Sequence, residues 1–110
     1  DGYSIRCPIG EARITGPGEY GRLRVPYVIH AVGPDYYNHR KDPGEGDDLL
    51  RSAYVQTLAK ARDAKLEAVA FCLLSSGVFR GRMSLRHVLR IGMEAVATFG
   101  GYGALREVHM

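Results

Sequence analysis

Residues 69–81 read Val-Ala-Phe-Cys-Leu-Leu-Ser-Ser-Gly-Val-Phe-Arg-Gly, and no other stretch limits the possible folds of this chain as strongly. The first six are a continuous apolar run, as expected of a strand buried on both faces. Ser75, Ser76 and Gly77 then turn the chain, and a helical pattern begins near Ser84. Small residues after a buried strand leave backbone N–H groups uncovered, and Gly77 is free to take positive φ. Successive N–H groups followed by a helix N-terminus can cradle an anion. The stretch therefore reads as a phosphate-gripping loop at the carboxyl end of a parallel strand. Strand-to-helix turns also use serine and glycine for geometry alone, so both readings stand on these residues.

The elements around this stretch set its context. Residues 11–15 alternate as a short strand, and Gly16-Pro17-Gly18 breaks it. A β-branched strand is expected over 25–32, with Pro26 tolerable near its start, and Gly33-Pro34 ends it. Residues 35–48 read as a long exposed loop whose acidic residues are solvated, with Asp47 or Asp48 capping the helix that follows. That helix, over about 49–64, places Leu50, Tyr54, Leu58 and Ala61 on one face. The second helix starts at Ser84 and buries Leu85, Val88, Leu89, Gly92, Val96 and Phe99. Gly92 costs ~1 kcal/mol relative to alanine, which implies close packing on the sheet. Gly100-Gly101 stops the helix, and residues 105–110 resume an extended pattern. The order β-β-α-β-α-β demands parallel pairing with right-handed crossovers over most of the chain. The loops after Val32 and before Ser84 then gather at one sheet edge, where open α/β sheets bind ligands.

At 110 residues the chain is one domain, with 45% apolar and 25% charged residues, an ordinary globular balance. No apolar run approaches the ~20 residues of a membrane span, and no basic-then-apolar leader opens it. The expected location is cytoplasmic or nuclear. Cys7 and Cys72 read as reduced thiols, with Cys72 a small core residue. His30, His39, His87 and His109 show no ligand spacing, so no metal and no cofactor are expected, and His30 reads as a hydrogen-bonded core residue. A net charge of +3 favours anionic ligands without selecting one. The chain starts at Asp1 without methionine and stops at Met110 within an apparent strand, so it reads as an excised or processed piece.

Three blocks carry a resemblance. They are Cys-Pro-Ile-Gly-Glu-Ala-Arg-Ile-Thr at 7–15, Tyr-Val-Ile-His-Ala-Val-Gly-Pro at 27–34, and Ala-Val-Ala-Phe-Cys-Leu-Leu-Ser-Ser-Gly-Val-Phe at 68–79. In this order, with a Leu-Leu…Tyr…Leu-Ala helix between the second and third, they resemble the macrodomain family over nearly all of the chain, but only its later part. The resemblance implies a mixed, mainly parallel sheet with helices packed on it, a three-layer α/β/α fold lacking its N-terminal strands. It also implies binding of ADP-ribose, free or on proteins, and in some members its hydrolytic removal. The family's serine-threonine-glycine-aliphatic-aromatic loop around the diphosphate and distal ribose maps onto Ser75, Ser76, Gly77, Val78 and Phe79. Where the family continues with glycine, an aromatic residue and proline, this chain has Arg80, Gly81 and Arg82. Arg80 either obstructs the backbone's approach to phosphate or adds a guanidinium contact. The family's adenine-contacting aspartate, its asparagine near the distal ribose and its other glycine-rich loop cannot be mapped onto residues 1–7.

Four functions follow as alternatives. The first is an ADP-ribose-binding module, weakened if one wall of the site lies elsewhere. The second is an ADP-ribosyl hydrolase in the complete protein, although no acid–base pair is visible here. The third is a degenerate domain that associates with itself or other proteins through an exposed sheet edge. The fourth is contact with RNA or poly-ADP-ribose through Arg82, Arg86 and Arg90, a stripe for which a solvated helix face is the preferred explanation.

Overall fold

The computed structural model describes residues 7–16, 27–39, 41–72, 74, 75, 77, 80–103 and 105–109. Its elements are β1 (Ala12–Thr15), β2 (Val28–Ala31), a 3-10 turn (Tyr36–His39), α1 (Pro43–Asp63), β3 (Ala68–Ala70), α2 (Leu85–Phe99) and β4 (Glu107–His109). The α/β class and the element order are as the sequence implies. β1 and β2 pair antiparallel, with Ala12 opposite Ala31. β3 and β4 pair parallel, with Val69 opposite Val108, and the Phe71 N–H extends the ladder to the His109 carbonyl at 2.8 Å. Among the described residues these are two separate two-stranded sheets, so the pairing is mixed, and β3 has one paired edge.

Helix α1 begins six residues earlier than its apolar pattern indicates. Asp42, rather than Asp47 or Asp48, is the N-cap, its Oδ1 accepting the Glu45 N–H at 3.2 Å, and Pro43 takes the first helical position. The expected long loop therefore shrinks to the 3-10 turn and a short link. Gly44 and Gly46 concealed this turn, because glycine lowers helix propensity. Gly46 is required there, since a Cβ on it would stand 2.7 Å from Tyr36 Cε1. The buried residues of α1 (Gly46, Leu50, Ala53, Tyr54, Thr57, Leu58 and Ala61) form one continuous stripe at helical spacing.

Both helices run side by side in the same direction. Asp47 meets His87 near their starts, Tyr54 lies on Gly92 at mid-length, and Arg62 stacks over Phe99 near their ends. Of the two helices, α2 is the crossover that joins the parallel strands β3 and β4. Gly92 thus packs on a tyrosine of α1 and not on the sheet: its Cβ would approach Tyr54 Cζ to 2.7 Å. Ser84 caps α2 through its Oγ, which accepts the His87 N–H at 3.0 Å, and Gly100 ends the helix at φ 77°. The core gathers Tyr36, Leu50, Tyr54, Val88, Ile91 and Ala95, with Phe71 and Leu74 of the β3 segment packed against it.

Three burial expectations are corrected. Strand β3 buries Val69 alone, with Ala68 and Ala70 exposed, so it is not covered on both faces. Cys72 falls on that uncovered row and is exposed instead of core, because successive residues of an extended chain point to opposite faces. Leu85, at the first position of α2, is 47% exposed, since the apolar seam with α1 starts only at Val88.

Candidate functional site

Parallel running of α1 and α2 puts both helix starts, and the loops leading into them, at one end of the molecule. The loop after β2 and the loop after β3 touch there. The Ser75 Oγ donates to the Pro34 carbonyl at 2.7 Å, and a Cβ on Gly33 would lie 2.5 Å from that same Oγ. Only glycine at position 33 lets the two loops close. Farther along, Gly81, at φ 62°, sits against Tyr36 and Tyr37, where a Cβ would reach 3.2 Å from Tyr36 Cβ.

The turn itself is anchored from below. The Leu74 N–H donates to the Tyr54 hydroxyl at 3.0 Å, so the largest fully buried side chain of the core holds the end of the β3 segment. Burial pushes the Tyr54 phenol above its usual range, and the Leu74 N–H partly offsets this. Ser75 adopts φ 56°, a left-handed conformation that non-glycine residues rarely hold. Gly77 is exposed and its missing Cβ faces open space, so its backbone is approachable. The Arg80 N–H donates to the Gly77 carbonyl at 3.1 Å, and its side chain is half-buried. Ser76, Val78 and Phe79 lie outside the described residues.

A group that the sequence did not reveal lies behind these loops. Asp47 Oδ1 accepts the Tyr36 hydroxyl at 2.7 Å and stands 2.8 Å from His87 Nε2. Expected to be a solvated loop residue, Asp47 is instead partly buried on α1. Burial chiefly, then the hydrogen bond to the carboxylate, raises the Tyr36 phenol far above its usual value. A signal was present: Asp47 precedes Leu50 and Tyr54 by three and seven residues, which places a carboxylate on the apolar stripe.

The other acidic residues of this segment also have partners. Asp35 Oδ1 accepts the Tyr37 N–H at 3.0 Å, Asp42 caps α1, and Asp48 pairs with Arg51 at 3.1 Å. His39 faces Glu45 at 3.7 Å. Beside them an open depression of about 130 Å³ is lined by Tyr36, His39, Pro43, Arg82 and Met83. Ligand pockets usually span roughly 300–1,000 Å³, so this recess does not hold a whole nucleotide-sized molecule. Arg82, Arg86 and Arg90 are exposed, but Arg82 precedes the N-cap of α2, which leaves only Arg86 and Arg90 on the helix. His30 is half-buried and contacts the Thr15 hydroxyl through Nε2 at 3.3 Å. Among the described residues no three metal-binding side chains cluster, and no helix is long and apolar enough to cross a membrane.

Comparison with known proteins agrees with this architecture. A macro domain-containing protein of Caldanaerobacter subterraneus subsp. tengcongensis is 35% identical over 104 residues, covering 93% of this chain and 54% of that protein. A macro domain-containing protein of Vibrio parahaemolyticus is 45% identical over 75 residues, covering 68% of this chain and 40% of that protein. Among solved structures, a variant of the Oceanobacillus iheyensis macrodomain with ADPR superposes with a TM-score of 0.75 at 25% identity. That match covers 93% of this chain and 50% of the macrodomain. The chain therefore spans about half the length of these relatives. The profile of the Macro domain family matches residues 2–91, and the chain belongs to that family.

Proposed function

We propose that this chain supplies the diphosphate-facing wall of an ADP-ribose site, with Ser75, Ser76, Gly77, Val78, Phe79 and Arg80 as its loop. The observation that carries the reading is the closure of the β2 and β3 loops through Ser75 and Pro34, at the end where both helices begin. Two helix starts and an approachable Gly77 backbone favour an anionic ligand there. The likeness to a macrodomain with ADPR supplies the class of anion. Binding is the preferred reading over hydrolysis, because the carboxylates of Asp35, Asp42, Asp47 and Asp48 are each engaged by a backbone N–H or a neighbouring side chain. A general base needs a carboxylate directed at water near the substrate.

The proposal includes a second wall made by residues outside this chain, in keeping with its half-length coverage of relatives. Calorimetry with ADP-ribose tests both parts, using the 110-residue chain and a longer protein in which the chain is joined to the remaining half of a macrodomain relative. The expected result is binding by the longer protein and little or none by the chain alone. No uptake by the longer protein at millimolar ligand overturns the assignment. Micromolar affinity of the chain alone overturns the second wall. Arg80→Gly in the longer protein then decides the arginine's role. Weaker binding with a shallower salt dependence marks a guanidinium contact, and tighter binding marks an obstruction.

A further inference from the structure

We infer that Asp47 is a positioning residue that holds the two loops of the candidate site at a set spacing, an inference that rests on reading that edge as a ligand site. Three segments meet at its Oδ1: the 3-10 turn through the Tyr36 hydroxyl, α1 through Asp47 itself, and α2 through His87 Nε2. Tyr36 is the hinge of this arrangement. It is 3% exposed, and glycines 46 and 81 both stand against it so closely that a Cβ at either would crowd it. The ring has one seat, and that seat aims its hydroxyl at Asp47.

His87 is fixed just as firmly from its own side. It is the third residue of α2, and its backbone N–H is held by the Ser84 cap. Ser84 immediately follows Met83, whose N–H bonds the Arg80 carbonyl, and the Arg80 N–H bonds the Gly77 carbonyl. A short chain of bonds therefore runs from Asp47 through His87 and Ser84 into the loop that bears Gly77 and Arg80. On the other side, the chain runs from Asp47 through Tyr36 to Pro34, where the Ser75 hydroxyl closes the circuit. The remaining charged neighbours do not compete for the carboxylate: Arg51 pairs with Asp48, and His39 faces Glu45. Hydrogen bonds to a charged acceptor are shorter and stronger than neutral ones, which suits a group that must keep two loops in register.

The test compares Asp47→Ala, His87→Ala and His87→Gln with the parent, in the 110-residue chain for exchange and in the longer joined protein for affinity. It reads ADP-ribose affinity and, without ligand, amide exchange at residues 80–84. Glutamine retains an N–H donor, so it separates the hydrogen bond from the ring. The expected result is that both alanine variants lose about tenfold in affinity. Exchange rises at 80–84 and stays unchanged at Ile91 to Ala95, and His87→Gln recovers most of both. Parent-like exchange in Asp47→Ala overturns the inference, as does equal acceleration along all of α2, the mark of a general stability tie. Failure of the parent to bind ADP-ribose counts against the proposed ligand alone. The exchange pattern in unliganded protein then decides the role of Asp47.

Discussion

Helices α1 and α2 lie side by side and share a seam, yet they are built on different terms. The buried stripe of α1 runs its full length, and Leu50, Ala53, Tyr54 and Ala61 are fully covered. α2 buries Val88, Ile91, Gly92 and Ala95, and leaves Leu85 and Met93 about half exposed, at 47% and 56%. Their ends differ in the opposite sense. α2 stops on Gly100 in the left-handed conformation, at φ 77°. α1 stops with Lys65 in that conformation, at φ 57°, while the Leu66 N–H reaches back to the Ala61 carbonyl at 3.0 Å. The lesson is that α1 is held by its face and tolerates a strained end, whereas α2 is held by its seam and its caps.

Removing the shared element should have the largest effect. Tyr54→Ala deletes the largest fully buried side chain and the ring against Phe71, whose centroid is 5.2 Å away. The expected loss is about 3–5 kcal/mol by denaturant unfolding. A loss under about 1 kcal/mol would show that the helices do not depend on this contact. Gly92→Ala attacks the same seam from α2. Alanine gains helix propensity of ~1 kcal/mol, but its Cβ meets the Tyr54 ring at 2.7 Å, so a net loss of about 1–3 kcal/mol is expected. If the variant is more stable than the parent, the close approach is not what holds glycine there.

Tyr54→Phe keeps the ring and strands the Leu74 N–H, and should cost about 1–3 kcal/mol at neutral pH. The same substitution has a pH signature. The buried Tyr54 and Tyr36 phenols stay neutral in the fold where the unfolded chain already ionises, near pH 10. Their contribution is complete below about pH 10 and is lost as pH rises toward the folded values, so stability falls on the alkaline side. That fall should be shallower in Tyr54→Phe, as urea midpoints at pH 8 and 11 would reveal.

The helix ends should respond in opposite directions. Lys65→Gly relieves the left-handed lysine and is expected to raise stability by about 1 kcal/mol. Gly100→Ala imposes the same strain on α2 and should lower it by a similar amount. Equal signs for the two would erase the contrast between the helices. The smallest effect belongs to the outer row of α2. Met93→Gln should shift stability by no more than about 0.5 kcal/mol in thermal melts of this chain.

Local chemistry is what made so much of this fold legible. Ser84 and Gly100 announced the two ends of α2, because a hydroxyl cap and a left-handed glycine act within one helical turn. The order of elements followed from apolar periodicity, which also depends on near neighbours. The start of α1 was hidden for a reason that is not local: Gly44 and Gly46 weaken the helix on paper, and Gly46 is there for Tyr36, ten residues earlier. The site divides the same way. The turn at Ser75 and Gly77 was visible as a break after an apolar run, but the left-handed φ falls on Ser75, a serine that the Pro34 carbonyl holds in place.

The amino-acid sequence by itself determined the order of helices and strands, where α2 is capped, and that two loops would gather at one end of the molecule. It did so because these properties depend on spacing, backbone freedom and the handedness of crossovers. Tertiary structure decided that Asp47 meets Tyr36 and His87, and that Gly92 receives a tyrosine ring and not the sheet. It also decided that Cys72 lies exposed on an uncovered row of β3. Each of these joins residues about 10–40 positions apart in the chain, or turns on which face another element covers. Such pairings depend on how the elements pack, which no local pattern specifies.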